Sequence, residues 1–250
     1  MIVCGRGDRR GFTLLELVVI IAVIGILAAA VTPTVMNQIM DTRVAATQAE
    51  AHSLYDAMVG APNGDGTRFG FVGDIGRLPN SLQELASPNG LPSYATGNVR
   101  GIGMGWRGPY INSGTLANDY LTDAFGRSYI LNSGQVRSYG PDGIGNNSDD
   151  IVYPPTAPAV TGTVAITVKT ITAGKTVVDP SGYRVDLYYT SSGSQSSVTD
   201  AGTPFTFTAV PMGLHAVRVV KTVNPGAGSV MVEDTVVVRP GTTNAAELWF

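Results

Sequence analysis

The sequence predicts an α+β chain in which a long N-terminal helix precedes a small turn-rich β domain and an all-β sandwich. Three observations support this fold class. The run from Leu17 to Val31 carries no polar side chain and continues as an amphipathic pattern to about residue 60. Residues 61–153 are rich in turn-forming residues. From Thr161 onward, apolar and polar residues alternate, which is typical of half-buried strands.

The first element is long enough to cross a membrane. With the residues that flank it, the apolar run approaches the ~20 residues that span a hydrocarbon core of about 30 Å. One acid, Glu16, interrupts it near its start. A carboxylate in an apolar helix is costly unless it is paired, so Glu16 indicates a function. Arg6, Arg9 and Arg10 precede the helix and favour a cytoplasmic location for that end.

A basic leader, the residues Gly11-Phe12-Thr13-Leu14-Leu15-Glu16 and the apolar helix follow one another in this order. The arrangement resembles the type III signal of type IV pilins and type II secretion pseudopilins. The resemblance implies that a prepilin peptidase cuts between Gly11 and Phe12 and methylates the new N-terminus. It also implies that Glu16, then the fifth residue, pairs with the N-terminal amine of a neighbouring subunit in a filament.

Two other interpretations of this segment remain. A basic region, a short apolar stretch and Ala28-Ala29-Ala30 are also typical of a secretory signal cut after Ala30. Glu16 would then lie inside the apolar stretch, and the helical pattern continues past the supposed cut. A simple single-pass anchor is the third interpretation.

The helix is predicted to continue to about residue 60 as an amphipathic stem. Its apolar positions recur at helical spacing, and polar residues such as Asp41, Arg43 and Glu50 occupy the other side. Pro33 removes one backbone hydrogen bond and favours a kink. The apolar positions are Val35, Ile39, Val44, Ala51, Leu54 and Met58.

Composition limits the chemistry of the chain. Cys4 is the only cysteine and lies in the predicted leader, residues 1–11, so the processed chain would have neither a disulfide nor a thiol. The formal net charge is −3, and loss of three arginines and one aspartate with the leader would make it −5. This balance does not suggest a nucleic-acid surface.

The first soluble domain, predicted at residues 61–153, contains three ordered motifs. They are GWRGPYI (105–111), LTDAFGRSYIL (121–131) and SYGPDGIGNNSDDI (138–151). Together they are similar to the globular region of the major pseudopilin of type II secretion, except that Phe125 stands where that family more often has tryptophan. Upstream, Ser81 and Glu84 have the spacing of a helix-capping box.

The acidic loop of that domain is the candidate metal site. Asp142, Asp149 and Asp150 lie within nine residues and supply hard oxygen ligands of the kind that calcium prefers. The spacing is not that of an EF-hand. Pro141-Asp142-Gly143 is equally typical of a solvated turn without metal. The family resemblance implies calcium, with backbone carbonyls near Ser138 to Gly140 completing the ligand set.

A proline-rich linker, residues 154–160, precedes the predicted sandwich at residues 161–250. Six or more strands are predicted, among them strands near residues 164–168, 185–189, 205–210, 215–221, 234–238 and 245–250. The run TDAGTPFTFTAVPMGLHAVRV is similar to prealbumin-like, carboxypeptidase-regulatory-like repeats. His215 in this run is interpreted as a strand residue.

The sequence offers no catalytic constellation: the two histidines are far apart in sequence, and motifs for a nucleophile or a phosphate loop are absent. We therefore expect a structural subunit of a type II secretion pseudopilus rather than an enzyme. The chain would sit in the bacterial inner membrane with its C-terminal domains in the periplasm before it enters a filament.

The resemblance implies four kinds of partner: prepilin peptidase, other pilin-like subunits, an inner-membrane platform protein and, through it, an assembly ATPase. The alternative is a type IV pilus subunit whose C-terminal sandwich is a surface binding or adhesive module. A third possibility, from another class, is a secreted protein that binds glycans or proteins.

Overall fold

A computed structural model describes residues 13–60, 69–111, 119–172, 175–178, 181–202, 204–223 and 226–250. The chain divides at residue 45 into two units, Met1–Ala45 and Ala46–Phe250. The predicted long helix is confirmed as α1, Leu14–Val59, with Pro33 inside it. Both residues of the expected processing site, Gly11 and Phe12, lie outside the described residues.

The last turns of α1 belong to the core of the second unit. Ala51, Leu54 and Met58 are buried, as the amphipathic pattern predicts. Val35 and Ile39, which the same pattern placed on the apolar side, are exposed. Among the described residues, the apolar face of the stem therefore has intramolecular partners only in its C-terminal part.

A short helix, α2 (Gly70–Ile75), follows the first gap in the described residues and was not predicted from the sequence. Phe71 and Ile75 are buried against the end of α1 and stand four residues apart, which places them on one helical face. Gly76 ends α2 in the left-handed conformation, with φ of 80°. Burial of its apolar face stabilises a helix that its glycines alone would not favour.

The predicted capping box does not form. The next helix, α3, spans Gln83–Ala86, and no side chain caps it. Glu84 is buried and instead pairs with Arg77 at 2.9 Å while accepting the N–H of Asn80. An arginine partner satisfies a buried carboxylate more completely than a backbone N–H alone, so the ion pair replaces the cap.

Small sheets complete the first soluble segment. The strands β1 (Ala95–Thr96) and β2 (Gly103–Met104) form an antiparallel pair. After a 3₁₀ turn at Asp119–Leu121, β3 (Ile130–Asn132), β4 (Gln135–Ser138) and β5 (Ile151–Tyr153) form a three-stranded antiparallel sheet. The acidic loop connects β4 to β5, so both of its ends are fixed by the sheet.

The sandwich consists of two four-stranded sheets, which confirms the predicted all-β architecture. In the first sheet the order is β10-β6-β13, with β7 also paired to β6, and in the second it is β12-β11-β8-β9. Strand β13 runs parallel to β6, and the other pairings are antiparallel. The bounds are β6 Thr161–Thr172, β7 Lys175–Val178, β8 Tyr183–Ser191, β9 Ser194–Asp200, β10 Phe205–Pro211, β11 Gly213–Lys221, β12 Val230–Val238 and β13 Thr243–Trp249.

Two of these strands, β7 and β9, were not predicted from the sequence. The sequence of β9, SQSSVTD, contains one apolar residue, so a search for alternating hydrophobic residues does not detect it. It lies at the edge of its sheet and, among the described strands, pairs only with β8. The pairing with β8 makes it a strand despite its polar composition.

The sandwich packs against the first soluble segment within the second unit. The N–H of Gly193, in the β8–β9 turn, donates to the carbonyl of Ile75 at 2.8 Å, and the side chain of Gln195 accepts the N–H of Asn98 at 3.1 Å. A β-carbon at Gly76 would overlap the carbonyl of Thr190. The linker is also tied down, because Val160 accepts a backbone hydrogen bond from Met212 at 2.8 Å. The described parts of residues 61–153 and 161–250, which the sequence predicts as two domains, therefore contact each other.

Candidate functional sites: an apolar helix and an acidic loop

The first part of α1 is an apolar surface that the described part of the chain leaves exposed. Leu14 is 81% exposed, Ile26 71% and Leu27 60%. An 18-residue window of this helix has a mean hydropathy of 3.0 and is not buried at all, which makes it long and apolar enough to cross a membrane. Exposure on this scale is unfavourable in water, so the segment requires lipid or protein as a partner.

Glu16 lies in the first turn of this apolar surface. Its backbone N–H donates to the hydroxyl of Thr13 at 3.2 Å, so Thr13 caps the start of the helix. Within the described residues, the Glu16 carboxylate has no hydrogen-bond or ion-pair partner. The structure thus places the predicted assembly residue on the exposed apolar helix, where its partner must come from outside the described part of the chain.

The three acids of the candidate metal site lie in the β4–β5 loop, which is closed by its own hydrogen bonds. Asp142 accepts the N–H of Ile144 at 2.7 Å and the side-chain amide of Asn147 at 2.8 Å. Asp149 accepts the N–H of Asp142 at 3.2 Å. These bonds fix the turn that the sequence predicted at Pro141-Asp142-Gly143.

Asp150 differs from the other two acids, because its side chain is only 7% exposed. One carboxylate oxygen accepts the N–H of Asn146 at 2.8 Å and lies 3.7 Å from the guanidinium of Arg137. The other oxygen, Oδ1, is buried without a hydrogen-bond partner. An unpaired buried carboxylate oxygen is unfavourable, and a bound cation is one group that would satisfy it.

The oxygen donors of the loop are of the kind that calcium prefers, but its three carboxylates do not converge on one point. The donor set is made of hard oxygens, and the buried Oδ1 of Asp150 lacks a partner. In the described part of the chain, however, no three acidic, histidine or cysteine side chains cluster closely enough to hold a metal. The carbonyls of Gly140 and Pro141 accept hydrogen bonds from Arg127, so a metal using the Gly140 carbonyl would compete with this guanidinium.

A residue to which sequence analysis gave no role, Asp123, anchors the loop. This buried carboxylate accepts the N–H groups of Phe125 at 2.9 Å and Arg127 at 2.8 Å, and the hydroxyl of Ser138 at 2.5 Å. It joins the segment that carries Arg127 to the strand that enters the acidic loop. The sequence feature that could have identified Asp123 is its place in the LTDAFGRSYIL motif.

Tyr129 of the same motif connects this segment to α1. Its hydroxyl donates to the Glu50 carboxylate at 2.7 Å. Burial and the Glu50 carboxylate both raise the pKa of Tyr129 above its ordinary value, so the phenol stays protonated and remains a donor. The motif therefore stabilises the contact between the stem and the globular segment.

His215 is a buried strand residue on β11, as the sequence suggested. Its Nε2 lies 2.6 Å from the carbonyl of Pro211, and its ring packs edge-on near Tyr189. Burial lowers the pKa of His215, since the charged form would lose its hydration. A neutral imidazole packed in this way supports the strand and gives no indication of catalysis.

Comparisons with known proteins bear mainly on the N-terminus. The family model described as the prokaryotic N-terminal methylation motif matches residues 6–32, which include Gly11, Phe12 and Glu16. This match supports a pilin-like protein that is processed by a prepilin peptidase and assembles with other pilin subunits. It favours a structural or binding protein over an enzyme.

Two further comparisons concern curated proteins and solved structures. No curated protein matches the sequence. One solved structure that matches is the crystal structure of a Pseudomonas aeruginosa protein described as a candidate carbohydrate-binding protein. The two sequences are 14% identical, and the alignment covers 39% of this chain and 94% of that chain with a TM-score of 0.27. A likeness this low carries no argument about the sandwich.

Proposed function

We propose that the chain is a structural subunit of a type II secretion pseudopilus, cut between Gly11 and Phe12 and assembled through α1. The observation that carries the proposal is an exposed apolar helix with a single acid, Glu16, in its first turn. The matched methylation motif supports the processing step. In this proposal the helix lies in the inner membrane before assembly and in the filament core afterwards, and the second unit lies in the periplasm.

The two environments make different demands on Glu16. Near one end of a membrane helix, a carboxylate can reach the polar interface at modest cost. In a filament core it needs a cation, and the methylated N-terminal amine of a neighbouring subunit is such a partner. Pairing there would align each subunit with the next along the filament.

The choice of a secretion pseudopilus rests on the first soluble segment. The GPY element, the LTDAFGRSYIL motif and the acidic loop occur in the order typical of major pseudopilins. Calcium in the acidic loop belongs to this proposal, with Asp142, Asp149 and Asp150 as ligands. A cation there would satisfy the unpaired oxygen of Asp150. The platform protein and assembly ATPase are the implied partners.

A surface pilus subunit with a binding sandwich is the alternative function. The observation that favours it is the exposed outer side of the first sandwich sheet, where Trp249 and Glu247 face solvent. A purely structural subunit does not require such a surface.

The N-terminus of the processed protein tests the proposal directly. Mass spectrometry of chains from the native host should give N-methyl-phenylalanine at Phe12, and a start at Val31 would show an ordinary secretory signal instead. Antibodies against residues 161–250 then separate the two filament functions. Labelled filaments on intact cells would favour the surface pilus, and labelling only after the outer membrane is opened would favour the pseudopilus.

A further inference from the structure

The two outer faces of the sandwich have different surroundings. The outer side of the β8–β11 sheet meets the β1–β2 segment, where Val99 is 2% exposed and Ala216 is fully buried. Val99, Met104, Tyr188 and Ala216 line a cavity of only about 10 Å³ there, so the contact is tightly packed. This contact covers part of the outer face of the β8–β11 sheet, whereas the outward positions of β13 are all exposed and available for a ligand.

The outer face of β6 and β13 is set by the register of the two strands. Residues that share a face alternate along each strand, and the parallel pairing places Thr163, Ala165, Thr167 and Lys169 beside their β13 counterparts. Leu248 is buried in the sandwich core, so its neighbour Trp249 must point outward. The β13 counterparts are, in the same order, Thr243, Ala245, Glu247 and Trp249.

Trp249 is the only large apolar side chain among these eight positions, and it is held in a defined orientation. Its indole is 49% exposed. The Lys169 ammonium lies 4.6 Å from the ring centroid and is itself held by Glu247 at 2.5 Å. The cation–π contact and the ion pair together restrict the rotation of the Trp249 and Lys169 side chains. The result is a preorganised aromatic surface flanked by one donor and one acceptor.

We infer that this outer face, built around Trp249, Lys169 and Glu247, binds β-linked oligosaccharides whose pyranose rings carry equatorial hydroxyls. Such rings present axial C–H groups on their faces, and these groups stack favourably on the negative face of an indole. Their peripheral hydroxyls both donate and accept hydrogen bonds, so they match the Lys169 ammonium and the Glu247 carboxylate. The neighbouring threonine and alanine side chains are short and leave room for a chain of sugars.

The charge of the face also favours a neutral polymer. Lys169 and Glu247 neutralise each other, and the six other positions on these strands are uncharged. An anionic or cationic partner would therefore gain little from this surface. The inference gives a ligand class to the binding module of the alternative function and rests on that alternative.

Binding should be measured on single full-length chains in a detergent without a sugar headgroup. This makes the result independent of filament assembly, so failure of the inference leaves the assembly proposal standing. The probes are the hexamers of β-1,4-linked glucose and of β-1,4-linked N-acetylglucosamine, titrated by calorimetry. The chain has two tryptophans, and the other, Trp106, donates to the Glu84 carbonyl inside the first segment. A fluorescence change on titration would therefore report Trp249.

We expect at least one hexamer to bind the unaltered chain and the affinity to fall about tenfold or more in Trp249→Ala, as is usual for an aromatic anchor. Trp249→Tyr should retain part of the affinity, because it keeps an aromatic ring. Leu214→Ala is the matched control, since Leu214 is an exposed apolar residue at 43% on the other sheet, and it should bind normally. Thr167→Gln fills the same face with a bulkier neutral side chain and should also weaken binding, which keeps the test valid if Trp249→Ala does not fold.

Two results would overturn the inference. One is the absence of binding to both hexamers, and the other is equal binding by the unaltered chain, Trp249→Ala and Thr167→Gln. If the unaltered chain is a dimer that Trp249→Ala dissociates and no hexamer binds, the face is an interface between copies and the saccharide assignment is wrong.

Discussion

The two parts of α1 differ in where their partners lie. From Leu14 to Met40 the large apolar side chains are exposed, whereas Ala51, Leu54 and Met58 are buried in the second unit. The two glutamates follow the same division, since Glu50 accepts a hydrogen bond from Tyr129 and Glu16 has no partner in the described part of the chain. One helix therefore combines a segment that depends on other molecules with a segment that stabilises its own fold.

The largest effect is expected from Glu16→Ala, and it should fall on assembly alone. The variant should insert into the membrane normally and form few or no filaments, because the N-terminal amine of the neighbouring subunit loses its partner. Filament yield by electron microscopy and thermal unfolding of the detergent-solubilised chain measure the two properties. Asp41→Ala is the control, since Asp41 is also an exposed acid on α1. Normal filament yield from Glu16→Ala would refute the pairing role.

The reverse outcome is expected from Met58→Ala, which tests the buried part of the helix. Met58 is fully buried, and replacing a buried methionine with alanine costs about 2–5 kcal/mol of unfolding free energy. Met40→Ala is the matched variant in the exposed part, where Met40 is 38% exposed, and its stability should change by no more than about 0.5 kcal/mol. Denaturant unfolding in detergent measures both values. Equal losses would mean that the two parts of the helix are not distinct.

The next prediction concerns the acidic loop, whose acids, like Glu16, are proposed to need a partner from outside the chain. If the loop binds calcium, a concentration one hundred times the dissociation constant stabilises the second unit by about 2.7 kcal/mol. A chelator should then lower the unfolding temperature of the full chain, and the shift should be absent in Asp149→Asn. Asp234→Asn, which changes an exposed acid on β12, should keep the shift. An unchanged unfolding temperature with and without calcium would remove the metal from the proposal.

Much of the fold could be predicted from the sequence because its long elements follow simple periodicities. The apolar run and the amphipathic pattern after it predicted α1, and the alternation of apolar and polar residues predicted the main strands of the sandwich. The polar strand β9 and the short helix α2 could not be predicted, because contacts with β8 and with the end of α1 stabilise them. The packing of Gly76 and Gly193 between the two soluble segments has no local signal either, since it depends on residues about a hundred positions apart.

The candidate sites were predictable only in part, for a related reason. Glu16 stands out because a charge in an apolar run is rare, and the motif match covers that position. The acids of the loop were evident from composition, but the arginine that occupies the carbonyls beside them comes from another segment. Asp123 is a single acid within a motif, and its link to the loop, the hydrogen bond from Ser138, depends on how the chain returns to that residue.

The smallest expected effect concerns the hydrogen bond between Tyr129 and Glu50, the one glutamate contact of α1 in the described part of the chain. Tyr129→Phe removes the hydroxyl that donates to Glu50, and since Glu50 is exposed and can be hydrated instead, the loss should be about 1 kcal/mol of unfolding free energy. Tyr183→Phe is the control, because the Tyr183 ring packs on Phe250 and its hydroxyl has no hydrogen bond in the described structure. Combining Tyr129→Phe with Glu50→Ala should cost less than the sum of the two single changes, which a double-mutant cycle measures. Strict additivity would mean that the contact does not stabilise the stem, and the division of α1 would then rest on apolar burial alone.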